Sequence, residues 1–345
     1  DVLNFNNISE IKNWKEYVVT NNGGTVNFNG TNVLNSKITG SGTFNNNGEL
    51  TVADVEEHLS IAELRNSGIV HIGNDTEKTL NTKITGGTLE ITGNIMANVV
   101  NLAPTTLVIA ADNDGDDTTF NKLEIYYQTT SSTLQNMDVQ NYGILDISVP
   151  IGNITIQNAE TLNLKVGVDT SEATIYGGKV NIDANMTTKA PILADEINID
   201  DHTLTVEGVE NTSEFVFGKI TATGDAELNI TKGKVYALDE VNSKIVLGEN
   251  VNLDIAANNI KNSVEIGSNA NLNLGDGILD AGTITNNNGI VNFNGTIEVN
   301  STLSGNGAFN NNGELTIADL SNLDTSITEL HNTGIVNIGN DTDQT

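Results

Sequence analysis

Hydrophobic and polar residues along the chain fall into short triplets in which two apolar side chains flank one polar residue. Val26-Asn27-Phe28, Leu50-Thr51-Val52, Val70-His71-Ile72, Leu89-Glu90-Ile91 and Leu123-Glu124-Ile125 begin the series. Leu145-Asp146-Ile147, Leu162-Asn163-Leu164, Leu253-Asp254-Ile255, Leu272-Asn273-Leu274 and Val336-Asn337-Ile338 continue it. In a strand, positions i and i+2 share a face, so each triplet sends its apolar pair inward and its polar residue outward. Successive triplets mostly stand about twenty residues apart, the coil length of a β-solenoid rather than the spacing of a hairpin. Gly23-Gly24, Gly40-Ser41-Gly42, Gly86-Gly87 and Gly177-Gly178 lie between triplets and supply the positive φ that corners need. The prolines number only 3, at Pro104, Pro150 and Pro191, as expected where backbone ladders are continuous. The pattern predicts an all-β chain folded as a right-handed parallel β-helix with about twenty residues per coil. An antiparallel sandwich or a barrel needs paired hairpins and a closed strand count, which the spacing does not offer.

A longer period overlies the short one. Asn22–Val55 aligns without a gap with Asn287–Leu320, so that Gly30 matches Gly295, Gly48 matches Gly313 and Asp54 matches Asp319. After one inserted residue, Gly68–Thr76 matches Gly334–Thr342. Residues 22–76 are thus repeated at 287–342, with a period of about 265 residues. The expected organisation is a continuous β-helix over 22–345, taken from a longer tandem array. Residues 1–21 form a separate N-terminal segment, with the single Trp14 and charges of both signs. It is expected to be either a short helix with Ser9 as N-cap or an irregular first coil. The runs Asn45-Asn46-Asn47-Gly48 and Asn310-Asn311-Asn312-Gly313 admit two readings: a simple turn, or a ladder in which asparagines on adjacent coils bond one another.

Composition narrows the partners. The 45 acidic and 15 basic side chains give a formal net charge of −30, which disfavours nucleic acid and anionic membrane surfaces and favours divalent cations. The apolar fraction of 37% is enough for a core. There are no cysteines, so disulfides, thiolate metal sites and cysteine nucleophiles are excluded. No apolar run approaches the length of a membrane-spanning helix, and any signal or anchor is expected outside the segment.

Candidate chemistry is sparse. Asp112, Asp114 and Asp116 alternate and Asp117 adds a fourth carboxylate, a density of hard oxygen ligands that suits calcium. The competing reading is a hydrated acidic corner, and the spacing departs from the EF-hand loop. No other cofactor is expected. Asp200-Asp201-His202 is the local cluster closest to a glycosidase carboxylate pair, although a solvated corner after Ile197-Asn198-Ile199 is the favoured reading. His58, His71, His202 and His331 are dispersed, and the repeat partner of His71 is Asn337, which argues against an essential base. No nucleophile elbow, phosphate loop or dinucleotide fingerprint occurs. The chain is therefore expected not to be an enzyme. Tyr126-Tyr127 and Phe215-Val216-Phe217 are the two local concentrations of aromatic residues.

The repeated Gly-x-Val-Asn-Phe strands (Gly24–Phe28, Gly289–Phe293), the Asn-rich corners and the absence of cysteine carry a family likeness. The chain resembles the passenger regions of large bacterial autotransporter surface proteins, especially the rickettsial surface cell antigens and outer membrane proteins A and B. Phe44–Asn47 and Phe309–Asn312 are also similar to the Phe-x-x-Asn tetrads of chlamydial polymorphic membrane proteins. Those usually carry Gly-Gly-Ala tetrads and cysteines, where this chain has Gly23-Gly24-Thr25-Val26 and Gly86-Gly87-Thr88-Leu89. The resemblance implies a secreted, non-catalytic stalk, adhesin or surface-layer passenger at the bacterial cell surface. It also implies an outer-membrane barrel C-terminal to the segment, and a host-cell receptor or neighbouring surface protein as partner. The alternative expectation is a β-helical carbohydrate-active enzyme or phage-type fibre acting on a polysaccharide.

Overall fold

The computed structural model describes residues 1–345 apart from 9–17, 53, 74–75, 112–120, 127–132, 166–172, 190–191, 208–213, 218, 223–224, 233, 238, 328 and 340–345, and apart from the side chains of 214–217, 232, 234 and 236. The chain is a parallel β-solenoid of about 15 turns with ~19 residues per turn, 61% strand and 5% helix. It is described as two units, residues 1–179 and 180–345. The short helix or irregular coil expected within 1–21 falls largely on residues outside the description.

In the first unit each coil contributes strands to three faces. The first face stacks Val2–Asn6, Thr25–Asn29, Thr43–Asn46, Glu63–Asn66, Lys83–Thr85 and Leu102–Ala103 in chain order. The second runs from Thr31–Leu34 through Glu49–Val52, Ile69–Ile72, Thr88–Ile91, Thr106–Ile109, Asp138–Asn141 and Ile154–Asn158 to Ala173–Tyr176. The third includes Lys78–Leu80, Asn94–Asn98, Lys122–Tyr126, Ile144–Ile147 and Thr161–Leu164. Pairing is parallel and in register, so inner residues meet inner residues. Leu50 lies opposite Val70, Val70 opposite Leu89, and Leu89 opposite Leu107. These side chains are fully buried. Each buried aliphatic of this size contributes roughly 1.5–3 kcal/mol from apolar burial.

The second unit follows the same rule. Leu253, Leu272, Val291 and Phe309 form one inner column, and Ile255, Leu274 and Phe293 the column beside it. The two copies of the repeat reproduce each other's pairing: Val26 lies opposite Phe44, and Val291 opposite Phe309.

The asparagine runs resolve by face. Asn45 and Asn47 point outward and donate to Asn27 (2.8 Å) and Asn29 (2.9 Å) one coil below; Asn310 and Asn312 donate to Asn292 and Asn294, both at 2.9 Å. The middle residue of each run is buried and braces the corner. The Asn46 amide donates to Asn66 Oδ1 at 2.8 Å and to the Ile69 carbonyl at 2.9 Å, while its oxygen accepts from Gly48 N–H. Asn311 does the same with Asn332 (2.8 Å), Ile335 (2.8 Å) and Gly313. Asn141 and Asn158 repeat the arrangement, with 2.6 Å between their amide groups. A buried amide with two donors and an acceptor is tolerable only when so matched. The two readings of these runs are therefore both realised, the ladder by the outer pair and the turn by the inner residue.

The glycine that follows each brace has a steric reason. A Cβ on Gly48 would strike the Gly30 carbonyl oxygen one coil below, and a Cβ on Gly313 would strike that of Gly295. Those oxygens accept the ladder bonds from Glu49 N–H (2.8 Å) and Glu314 N–H (3.0 Å), so they cannot withdraw without breaking the stack. The described non-glycine residues with positive φ are asparagines and one aspartate: Asn7, Asn136, Asn153, Asp200, Asn250, Asn269 and Asn288. Asx side chains carry the smallest penalty there.

Gly313→Ala is expected to destabilise the second unit by about 1–3 kcal/mol. Gly275→Ala, where the nearest atom to a new Cβ is 3.7 Å away, is expected to stay within about 0.5 kcal/mol of wild type. Urea denaturation followed by circular dichroism checks the pair; equal midpoints would remove the steric account of the corner.

Candidate functional site

A concentrated charge cluster is on the third face of the first unit. Asp146 is the polar member of Leu145-Asp146-Ile147, and strand alternation directs it outward. In register it lies between Glu124 on one side and Asn163 on the other. Its side chain is nevertheless only 3% exposed, because Lys122 and Lys165 fold over it. Lys122 Nζ is 2.8 Å and Lys165 Nζ 2.7 Å from Oδ2, and Asn163 Nδ2 donates to Oδ1 at 2.6 Å. Burial opposes ionisation of Asp146, but the bonds from Asn163, Lys122 and Lys165 outweigh it and hold the carboxyl below its ordinary range. Burial likewise opposes the charge on Lys122, and its contacts with Asp146 and Glu124 outweigh that and raise its pKa. Both carboxylate oxygens are engaged, so the group is poorly placed to take a substrate proton. The arrangement clamps three successive coils.

A second polar column crosses the second face. His71 Nε2 lies 3.1 Å from Glu49 and Nδ1 2.7 Å from Glu90, a contact with the coils on either side. Its repeat partner Asn337 bonds Glu314, the counterpart of Glu49, at 3.1 Å. The exchange of His for Asn thus keeps the same coil-to-coil contact. Near the corner of this face, Asp54 caps the short helix Val55–His58 by accepting from Glu56 N–H (3.1 Å) and Glu57 N–H (3.0 Å), and it pairs with Lys78 at 3.0 Å. Asp319 caps the matching 3-10 turn Leu320–Asn322 through Ser321 N–H. The cap was not foreseen from sequence; an Asp followed by a break in the triplet rhythm was the available signal.

Of the residues singled out from sequence, those that are described do not converge. Asp112, Asp114, Asp116 and Asp117 lie outside the described residues. Their chain position is between Thr106–Ile109 and Lys122–Tyr126, within a coil that is longer than its neighbours: Thr106 pairs with Asp138, whereas Thr88 pairs with Thr106. Among the described residues no group of three or more His, Cys, Asp or Glu is placed to hold a metal ion. At Asp200-Asp201-His202, Asp200 takes the left-handed corner conformation (φ 44°) and its N–H donates to Asn198 at 3.2 Å. Asp201 is 67% exposed with His202 Nε2 3.5 Å away. This is a turn on the surface. Tyr126 is half-buried, Tyr127 lies outside the description, and so do the side chains of Phe215 and Phe217. No helix among the described residues is long and apolar enough to cross a membrane, which says nothing of membrane β-barrels.

No protein-family model matches the chain, and comparisons with curated proteins and with solved structures find no match.

Asp146→Asn removes the charge that Lys122 and Lys165 surround and is expected to cost about 1–3 kcal/mol near pH 7. The folded-state pKa of Asp146 lies below its unfolded value, so its contribution is present above about pH 4 and is lost as pH falls through the folded value. The stability gap between wild type and Asp146→Asn, measured by urea titration, should therefore be largest at neutral pH and close in acid. A gap independent of pH would show that the carboxylate charge does not matter.

Proposed function

We propose that this chain is a non-catalytic passenger segment of a secreted bacterial surface protein, acting as a stalk or adhesin, or as part of a surface layer. The observation that carries the reading is structural repetition, with no converging site among the described residues. The two copies of the long repeat place the same side chains in the same bonds, as Asn46 and Asn311 do with Asn66 and Asn332 at 2.8 Å in each case. Repetition of this kind extends a coil stack by about 4.8 Å per coil without demanding new packing. An enzyme instead needs one preorganised constellation, which repetition does not supply.

The acidic surface supports the same reading. A formal charge of −30 keeps an extended, repetitive chain soluble and discourages edge-to-edge association. The partner is a host-cell receptor or a neighbouring surface protein, and neither nucleic acid nor anionic lipid fits the charge. The sequence likeness to autotransporter passengers favours export to the cell surface. The alternative, a polysaccharide-acting enzyme or fibre, has in its favour the parallel β-solenoid architecture alone.

Antibodies against the purified chain should label intact cells of the source bacterium as strongly as permeabilised cells, and external protease should remove the signal. Labelling confined to permeabilised cells would sink the surface assignment. Measurable hydrolysis of a polysaccharide, abolished by Asp201→Asn, would instead select the enzymatic alternative.

A further inference from the structure

Aromatic side chains make up 4% of the chain, and most of the described ones are interior: Phe5, Phe28, Phe44, Phe293 and Phe309 are buried. Tyr142 and Tyr176 are the exposed aromatics among the described residues, each 43% exposed. Sequence doublets did not point to them. Register brings them onto one part of the second face in the first unit. Gln140 lies opposite Gln157, and Gln157 opposite Tyr176, so these three form one outward column. Tyr142 stands two residues along the chain from Gln140, in the bend that follows Asp138–Asn141. Their backbone positions are therefore two coils apart along the stack, about 10 Å, and offset by two residues across it.

The amides between them differ from those of the asparagine ladders. Asn27, Asn45, Asn292 and Asn310 are bonded to one another across coils. The side-chain amides of Gln140 and Gln157 have no hydrogen-bond partner among the described residues, and each keeps two donors and an acceptor free. Beside them, Asp138, Thr155 and Thr174 stack in register and line an open groove with Asn136 and Asn153. None of these side chains is cationic.

We propose that this strip, Gln140, Tyr142, Gln157 and Tyr176 with the adjoining Asp138–Thr155–Thr174 column, binds an extended, uncharged β-1,4-linked glycan. Pyranose rings present apolar C–H faces that stack on tyrosine, and hydroxyl edges that pair with amides and a carboxylate. The two-coil separation of these positions is close to the two-sugar repeat of such a chain. An acidic glycan is disfavoured by a protein of net charge −30 with no cation in the strip. The proposal deepens the adhesive reading and rests on it only for its biological setting; binding is measured on the purified chain, so its failure leaves the surface-labelling result standing.

Calorimetric titration of the full chain with cellohexaose and chitohexaose, and with polygalacturonate as the acidic comparison, tests this. A saturable response to at least one neutral hexasaccharide and none to polygalacturonate is expected. Tyr142→Ala and Tyr176→Ala should each weaken binding about two- to tenfold, and the double variant more, whereas Tyr176→Phe should bind like wild type. Circular dichroism confirms that the variants remain folded, as expected at exposed positions. The proposal is overturned if neither hexasaccharide binds, if the double variant binds like wild type, or if polygalacturonate binds preferentially, which would mark the strip as a surface for another class of partner.

Discussion

Each coil of this protein can exist only in register with the coils beside it. The parallel backbone ladder fixes which residue sits above which, and every other feature follows from that constraint. Inward positions must hold side chains that tolerate a like neighbour one coil away, hence columns such as Leu50, Val70, Leu89 and Leu107. Outward positions must hold groups that do not repel their counterparts. A column of like charges would be unfavourable. Asparagine is the economical solution, because each amide both donates and accepts along the column. Where carboxylates do occur near one another outside, as Glu49 and Glu90 or Glu124 and Asp146, a His or Lys stands between or beside them.

The same constraint makes corners more demanding than faces. At a face, Ile, Leu and Val interchange between copies of the repeat, as Leu34 with Val299, Ile38 with Leu303 and Val52 with Ile317. At the corner after the first face, the chain needs a buried amide to collect carbonyls from the turn and a glycine to clear the coil below. Asn46 with Gly48, and Asn311 with Gly313, supply both. Corners also absorb the variation in coil length. Thr106 pairs with Asp138 while Ile69 pairs with Thr88, so the extra residues of the longer coil leave the register of the flanking strands intact.

Much of this surface is cross-linked between coils. Many asparagines bond each other, several carboxylates are held by His or Lys, and the described aromatics are mostly inside. The strip with Tyr142, Tyr176, Gln140 and Gln157 instead sets exposed rings beside amides that, among the described residues, bond no neighbouring coil. Coil stacking supplies a ruler of fixed pitch on which such groups are placed, and a linear polymer of similar pitch is a natural counterpart.

Alternation within triplets, their spacing and the glycine- and asparagine-rich corners were enough, as sequence, to establish a parallel β-solenoid with an inner aliphatic column, because period-two burial and coil length are local properties of the chain. The long repeat was likewise plain, and its two copies fold with the same strand pairing and the same buried asparagine braces. Which asparagine of Asn45-Asn46-Asn47 faces inward depends on the phase of the strand through the corner, and only the tertiary structure decided it. The burial of Asp146 could not be read from its triplet, where it looks like any outward residue, since Lys122 and Lys165 come from the coils on either side. Tyr142 and Tyr176, far apart in the sequence, become neighbours through a register set by two intervening coil lengths. Contacts between coils depend on the sum of every residue that separates them, and that sum is settled only when the whole stack closes its ladders.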